Sequence, residues 1–198
     1  SQDKQTKFQE LIKGAKTSKS DTLFKSEFFV DLQIGNSLHK RRSWETNLST
    51  GEVNFFDKRE IQTRVGFVIG SKWKLLKRNK YAFGVGVNWL RMSFAPGRYI
   101  LLETDPFYDW MFTASVINPE ICNSFEIGKS WTLEHSLAAG FVGHLGEEER
   151  GYSISNTVKM KHHNFTFGIA NTFEQFKDHL YGFPITFTTS SISMGLRF

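Results

Sequence analysis

Hydrophobic residues occupy every second position through most of this chain from Leu23 onward. A period of two is typical of β-strands that present one apolar face, so it constrains the fold more than any other feature. The pattern predicts eight strands, at residues 23–35, 61–70, 81–89, 112–127, 133–144, 152–160, 165–173 and 183–198. No apolar run reaches the roughly eighteen residues of a transmembrane helix, whereas a membrane-spanning strand needs only about 9–11 alternating residues.

The polar face of these strands favours a membrane barrel over a soluble one. It is rich in small residues, among them Gly66, Gly84, Gly86, Ser136 and Gly168. The narrow lumen of an eight-stranded barrel is just filled by side chains, so small residues suit it. The same face carries charges of both signs, which neutralise each other in a closed interior: Lys25, Glu27, Asp31, Arg64, Glu120, Glu126 and Glu134. We therefore predict apolar side chains outside and polar ones inside; a soluble lipid-binding barrel, with the faces reversed, is the alternative.

Aromatic residues and connection lengths agree with a barrel that spans a membrane. Rings near the strand ends form the interfacial girdles of such barrels, and the candidates are Trp73, Tyr81, Trp89, Trp131, Tyr152 and Phe198. Long connections are predicted at 36–56, 95–110, 146–150 and 175–182, and short turns at 71–80, 128–131 and 161–164. An even number of up-and-down strands places both termini at the short-turn end, which is periplasmic in bacterial outer-membrane barrels.

Two of the predicted strands change phase. In the fourth, the apolar positions are even-numbered before Pro119 and odd-numbered after it. In the eighth, they are odd up to Phe187 and even from Ile192. A β-bulge inserts one residue and exchanges the two faces. We predict a bulge near each break, with a wrong strand assignment as the alternative.

The stretch "ISMGLRF" places an apolar or aromatic residue at every second position: Ile192, Met194, Leu196 and Phe198. It resembles the terminal-strand signature of bacterial outer-membrane β-barrel proteins. The resemblance covers roughly residues 22–198 through the alternation and the last seven residues through the motif. It implies an assembly signal for the barrel-assembly machinery, a terminal strand that pairs with the first strand, and a bacterial outer-membrane location with periplasmic termini.

The predicted fold is all-β: an eight-stranded antiparallel up-and-down transmembrane β-barrel over residues 21–198, with a short N-terminal segment at 1–20. In that segment Phe8, Leu11, Ile12 and Ala15 have the spacing of one helical face, with lysines around it. A basic amphipathic helix would lie on the inner-leaflet surface. A disordered segment is the alternative, because isolated helices this short are marginal in water.

Composition excludes several other classes of protein. The formal charge of +5 comes without a nucleic-acid recognition motif or a basic helix, so we expect no nucleic-acid partner. A single cysteine, Cys122, excludes an intramolecular disulfide and a multi-cysteine metal site. No other spacing specifies a metal geometry, and we expect neither a metal nor a cofactor.

Two basic clusters are candidate lipid contacts. The first is expected in the first extracellular loop, where it would contact lipopolysaccharide phosphates: His39, Lys40, Arg41 and Arg42. The second is expected in the first periplasmic turn, beside anionic phospholipid heads: Lys72, Lys74, Lys77 and Arg78. Solvated loop charge is the alternative interpretation of the first cluster.

Enzymatic activity is the competing function. Resemblance to outer-membrane lipid A deacylases would require a His and a Ser two positions apart, but His135 and Ser136 are adjacent and point to opposite faces. Resemblance to outer-membrane palmitoyltransferases would use loop His, Asp and Ser residues; this chain has His39, Ser93, Asp105 and Asp109 but lacks the Asp-Ser dipeptide expected in that family.

We therefore predict a non-catalytic outer-membrane barrel, acting as a structural or surface-interaction barrel or as a small subunit of a larger envelope complex. Its partners would be outer-membrane lipids and lipopolysaccharide, with the barrel-assembly machinery during biogenesis. A lipid-modifying enzyme, through lipid A acyl transfer or deacylation, is the alternative, together with the soluble lipid-binding barrel.

Overall fold

The computed structural model describes residues 26–95, 99–102, 105–108, 111–144, 150–177 and 182–198, and their side chains except at 43–45, 58, 99–102, 105–108 and 111. The segment 1–20, predicted as a helix or a disordered stretch, lies outside the described residues, as does Lys25. Within these ranges no helix is long and apolar enough to cross a membrane.

The described residues form ten β-strands: β1 (Ser26–Thr46), β2 (Val53–Arg78), β3 (Tyr81–Ala95), β4 (Tyr99–Leu102), β5 (Asp105–Tyr108), β6 (Met111–Ile127), β7 (Trp131–His144), β8 (Arg150–His162), β9 (Phe165–Lys177) and β10 (Pro184–Arg197). Eight of them close into an antiparallel barrel in the order β1-β10-β9-β8-β7-β6-β3-β2. The other two, β4 and β5, form a separate two-stranded sheet. The predicted eight-stranded up-and-down barrel is confirmed.

The barrel has two distinct ends. At the turn end lie Ser26, Phe198 and the turns that join β2 to β3, β6 to β7 and β8 to β9. At the loop end lie the connections β1–β2, β3–β6, β7–β8 and β9–β10. The last strand closes the ring against the first, as the terminal-strand resemblance implies: the backbones of Phe28 and Phe198 exchange two hydrogen bonds, of 3.2 and 2.9 Å.

The first two strands are much longer than predicted. Residues 36–56 were expected to be a loop and 71–80 a turn, but β1 and β2 stay paired from Ser26 opposite Trp73 to Thr46 opposite Val53. Only the connections 47–52 and 79–80 remain. The prediction was wrong because beyond residue 38 the outward positions of β1 become charged, so the strand continues without its apolar signature.

The two faces of the wall are as predicted. In β10, Ser191 and Ser193 are buried in the lumen while Ile192 and Met194 are exposed on the outside. The same division holds around the ring, with charged and hydroxyl side chains buried inside and exposed apolar ones outside. A soluble lipid-binding barrel needs the opposite arrangement, so that alternative is wrong.

The two phase breaks have different causes. The predicted bulge near Pro119 is confirmed: the β6–β7 register shifts between Ala114 and Glu120, and Ile117 has a positive φ of 54°. The predicted bulge in the last strand is wrong, because β10 pairs with both neighbours without a register shift. Its odd positions face inward throughout, so Phe187 points into the lumen.

Of the aromatic residues predicted at strand ends, Trp89 lies elsewhere. It occupies the bulge where the β2–β3 register shifts between Ile69 and Gly70. There its indole donates a hydrogen bond of 2.9 Å to Ser71. Tyr81 and Trp131 begin β3 and β7 at the turn end, as predicted.

Candidate functional site: the lumen and the cationic cleft

The lumen near the turn end is filled by ion pairs. Lys72 lies 2.8 Å from the Glu120 carboxylate and also contacts Glu134. These three groups are almost fully buried, although they come from three different strands, β2, β6 and β7. Lys72 was predicted to face phospholipid in a periplasmic turn. That placement is wrong, because the alternation of β2 continues through residue 72 and turns its side chain inward.

A second set of pairs lies beside the first. The Arg197 guanidinium donates to Asp31 over 2.8 Å, and Lys159 contacts the same carboxylate. Lys161 and Glu27 form a pair of 2.5 Å at the edge of this set. These contacts join β8 to β1 and β10, the first and last strands, whose pairing closes the barrel; we call this junction the seam.

Nearer the loop end the lumen changes from ionic to apolar. Arg64 forms a pair of 2.6 Å with Glu174, and its guanidinium lies 5.5 Å from the centre of the Phe187 ring. Beyond that level Phe187 packs against Phe176 at 5.7 Å between ring centres. With Ala95 and Val142 these rings form a buried apolar cluster, which we call the apolar plug.

The predicted phosphate-contact cluster is split between the two faces of β1, and it lies in a strand instead of a loop. His39 is buried and stacks on Phe187 at 4.4 Å, so it belongs to the lumen. Lys40 and Arg42 are exposed on the outside. Because residues of a strand alternate between faces, four consecutive basic residues cannot meet one ligand as a block.

The outward half of that cluster lines a cleft of about 350 Å³. Arg59, opposite Lys40 in the β1–β2 register, adds a cation that the sequence did not single out. We call this the cationic cleft, and its lining residues are Lys40, Arg41, Arg42, Asp57, Arg59, Phe183, Pro184 and Thr186. Three of its basic residues, Lys40, Arg42 and Arg59, are exposed on the outer face beside the Asp57 carboxylate, whereas Arg41 occupies an inward position of β1 and is only partly exposed.

The ion pair within the cleft is long and exposed to solvent. Arg42 lies 3.9 Å from Asp57, with both side chains more than half exposed, and its guanidinium is 5.4 Å from the centre of the Phe183 ring. An ion pair this long and this exposed contributes little. Arg42 therefore keeps its capacity to bind an anion from solution or from a lipid head.

The cleft begins where the outward residues of β1 and β2 change from aliphatic to basic. Ile61 of β2, 68% exposed, is paired in register with Leu38, and two positions further toward the loop end Arg59 is paired with Lys40. Leu38 precedes Lys40 on β1 in the same way. The change from aliphatic to basic side chains on both strands at one level is typical of a boundary between hydrocarbon and lipid head groups.

The other three predicted interface residues lie in the last residues of β2 and not in a turn, because the strand extends to Arg78; their contact with phospholipid heads stays a prediction. Lys77 and Arg78 are exposed near the end of β2, and Lys74 is partly exposed. Lys77 forms a pair of 3.3 Å with Glu126, both about half exposed.

The residues considered for catalysis do not come together. His39 is in the lumen, and Ser93 forms a hydrogen bond of 2.8 Å with Thr113. His135 and Ser136 lie on opposite faces, as predicted, since only Ser136 is buried. The side chains of Asp105 and Asp109 lie outside those described. No group of three or more His, Cys, Asp or Glu in the described part of the chain is arranged to hold a metal ion.

One wall of the barrel carries uncharged polar residues on its lipid-facing side. They are neighbours in the strand register across β2, β1, β10, β9 and β8 and form what we call the polar stripe: Thr63, Asn36, Ser190, Asn171 and Asn156. All five are exposed. Ser190 donates a hydrogen bond of 2.8 Å to Asn171, and His135 extends the stripe with a bond of 3.0 Å to Asn156.

No protein-family model matches the chain, and no curated protein matches it. Among solved structures, it is similar to Neisserial surface protein A, with 10% identity over 86% of this chain and 97% of that one and a TM-score of 0.42. It is also similar to the outer-membrane protease OmpT of Escherichia coli, with 11% identity over 91% of this chain and 99% of that one and a TM-score of 0.45. For the attachment invasion locus protein Ail of Yersinia pestis the identity is 13% over 87% of this chain and 99% of that one, and the TM-score is 0.38.

Identities this low concern the fold alone, and the fold of this chain rests on its own closed strand order, antiparallel registers, polar lumen and apolar outer face. The chain is an eight-stranded β-barrel of the outer-membrane type.

Proposed function

We propose that this protein is a non-catalytic barrel of the bacterial outer membrane that contacts phosphorylated lipids of the outer leaflet, lipopolysaccharide in particular, through the cationic cleft. The observation that carries the proposal is the position of the cleft, directly beyond Leu38 and Ile61, where the outward residues of the paired strands β1 and β2 become basic. The loop end is then extracellular, and the turn end, where Ser26 and Phe198 lie, is periplasmic.

The chemistry of the cleft suits a phosphorylated lipid head. Arginine donates in a planar fork that matches two phosphate oxygens, and lysine adds a point charge. Arg42, Arg59 and Lys40 present both kinds of donor within one concave surface. A lipid whose phosphate occupies the cleft would lay its acyl chains against Leu38 and Ile61, on the same faces of the same strands.

The arrangement of the enzyme candidates supports a non-catalytic role. A base that acts on an outer-leaflet lipid must reach the outer surface, but His39 is buried against Phe187 inside the lumen. Mass spectrometry of lipid A from cells with and without the protein tests this point. An unchanged mass distribution is expected, and a new acylation state would favour the enzyme.

Binding is tested by removing charge at the cleft and, as a matched control, at the other end. In Lys40→Gln/Arg59→Gln we expect lipid A that carries phosphates to lose its stabilising effect on the purified barrel in detergent. The control Lys77→Gln/Arg78→Gln removes the same charge from exposed turn-end residues and should keep the effect. Equal responses of the two double variants, or an equal response to dephosphorylated lipid, would contradict the proposal.

A second role, as a small subunit of a larger envelope complex, is favoured by the polar stripe. Asn171 and Asn156 are flanked on the outer face by Ile169, Ile154 and Val158, so they face the hydrocarbon belt. Amide groups there favour hydrogen-bonded contact with another membrane protein over contact with lipid. We infer a partner that presents uncharged hydrogen-bonding groups at the same depth.

This second role is tested by photo-crosslinking in cells. A crosslinker at Asn171 should give one discrete adduct, whereas a crosslinker at Val116, exposed on the apolar wall of β6, should not. Asn171→Leu/Ser190→Ala should then abolish co-purification of the adduct's protein. Identical crosslinks from both positions would exclude the stripe as a specific surface.

The last strand supports the proposed contact with the barrel-assembly machinery. Its apolar signature residues all point outward and are exposed, namely Ile192, Met194, Leu196 and Phe198. They are therefore available for recognition before the strand pairs with β1.

A further inference from the structure

The buried charges of the lumen are balanced near the turn end but not near the loop end. In the described part of the lumen, the turn-end group has four cations and four carboxylates: Lys72, Lys159, Lys161 and Arg197 with Glu27, Asp31, Glu120 and Glu134. The next level holds two guanidinium groups, Arg64 and Arg91, and one carboxylate, Glu174. One positive charge at that level has no carboxylate to balance it.

Nearby charges on the remaining strands do not remove this excess. Arg41 and Glu60 lie further toward the loop end and are of opposite sign. His39 stacks on Phe187 beside the same level, and a neutral imidazole adds no negative charge. The excess therefore stays with the pair of arginines.

The hydrogen bonds of Arg91 are to neutral groups. Its guanidinium donates to the side-chain oxygen of Gln33 over 3.4 Å and to the hydroxyl of Thr172. Arg91 is 8% exposed and Arg64 only 4%. Nε of Arg64 has no hydrogen-bond partner, although its other nitrogens bind Glu174, Thr113 and Thr189. A buried charge without an opposite charge is strongly disfavoured.

A small cavity lies between these two guanidinium groups. It measures about 10 Å³, room for roughly one water molecule or an ion of similar size. Its walls are polar and include both guanidinium groups: Arg64, Arg91, Gln33, Ser93, Thr189 and Ser191, together with Gly66. A phosphate or a carboxylic acid is too large for this space, and among anions a monatomic one comes nearest to its size.

We propose that the lumen binds one small monovalent anion, chloride under ordinary conditions, in the cavity between Arg64 and Arg91. The anion neutralises the excess charge and accepts hydrogen bonds from the two guanidinium groups. Water in the same cavity would accept hydrogen bonds from the guanidinium groups but would leave the charge uncompensated. The site is separate from the cationic cleft, which lies on the outer face of the wall.

The experiment uses the full chain, folded in detergent, at one ionic strength in sodium chloride, sodium bromide or sodium gluconate. Gluconate is too large for the cavity. We expect the midpoint of thermal unfolding to rise with halide concentration and to saturate, and to be unchanged by gluconate. Arg91→Gln removes the excess charge and should lose the halide-dependent rise, while the exposed control Lys77→Gln should keep it.

Crystals grown in bromide supply a measurement that does not depend on any variant. An anomalous peak between Arg64 and Arg91 is the expected result. This measurement tests the proposed anion site even if Arg91→Gln fails to fold. A cavity without anomalous signal, together with equal unfolding midpoints in chloride and gluconate, would overturn the proposal. Lipid binding at the cleft does not enter either measurement, so failure here leaves the proposed function untouched.

Discussion

Replacing Lys72 by methionine should destabilise the barrel severely, because it leaves two buried carboxylates without their shared cation. The Lys72 ammonium lies 2.8 Å from Glu120 and also contacts Glu134, and all three side chains are at most 7% exposed. Arg197, 3.9 Å from Glu134, is the nearest remaining cation among the described pairs. Methionine fills nearly the same volume, so the loss is one of charge and not of packing.

The expected cost follows from the energetics of buried ion pairs. Removing one partner of such a pair typically costs about 3–5 kcal/mol, against a total stability of roughly 5–15 kcal/mol for a folded domain. Glu134→Gln should cost less, because Lys72 keeps Glu120 and a repulsion between two carboxylates is lost. The triple variant Lys72→Met/Glu120→Gln/Glu134→Gln, which is neutral at the site, should recover more than half of the loss.

Urea unfolding in detergent, followed by tryptophan fluorescence, measures these free energies. Lys77→Met is the matched control, since Lys77 pairs with Glu126 over 3.3 Å with both side chains about half exposed. An exposed pair contributes at most about 1 kcal/mol. The reasoning is refuted if Lys72→Met stays within the range of this control, or if the triple variant is no more stable than the single one.

Three further predictions concern the plug, the seam and the terminal strand. Phe187→Ala should cost about 3–5 kcal/mol in the same unfolding assay, because it empties the centre of the apolar plug; no loss would mean that the plug repacks. Gly195→Val should lower the temperature of the heat-modified gel shift, because a Cβ at 195 meets the Asp31 carboxylate that binds Arg197. The control Gly143→Ala should leave that temperature unchanged, because the nearest neighbour of its new Cβ is 4.0 Å away. Phe198→Ala should lower the amount of barrel assembled in cells but barely alter unfolding of the purified protein, because the ring is 71% exposed; equal assembly of this variant and of Phe165→Ala would remove the terminal aromatic from the assembly signal.

The alternation of the sequence predicts the faces of the strands because each face depends only on local spacing. Ser191 and Ile192 point to opposite sides of β10 whatever the partner strands are. The lumenal ion pairs could not be predicted in this way. Arg197 meets Asp31, 166 positions away, only because of the stagger of the strands around the ring, and one sequence does not specify that stagger.

Several residues of the candidate site were also misplaced or missed when only the sequence was considered. His39 and Lys72 were assigned to loops because apolar alternation stops near them, yet both lie in strands and face the lumen. Arg59 was missed although it lies two positions from Ile61 on the same outward face. A charged residue at an outward position looks like a loop residue when only hydrophobicity is followed.

The two faces of the wall exchange their polarity at one level near the loop end, and this exchange explains both errors. Outward positions change from aliphatic to basic between Leu38 and Lys40 on β1. At the same level, inward positions change from polar to aromatic at Phe187, which is paired in register with His39. Outside, hydrocarbon ends, so charged side chains are no longer disfavoured. Inside, the ion pairs end and an apolar plug takes their place. Phe187, at the end of the odd-numbered run that was interpreted as a bulge, therefore lies on the inner side of this boundary, and Lys40 and Arg42 of the run interpreted as a loop lie on its outer side.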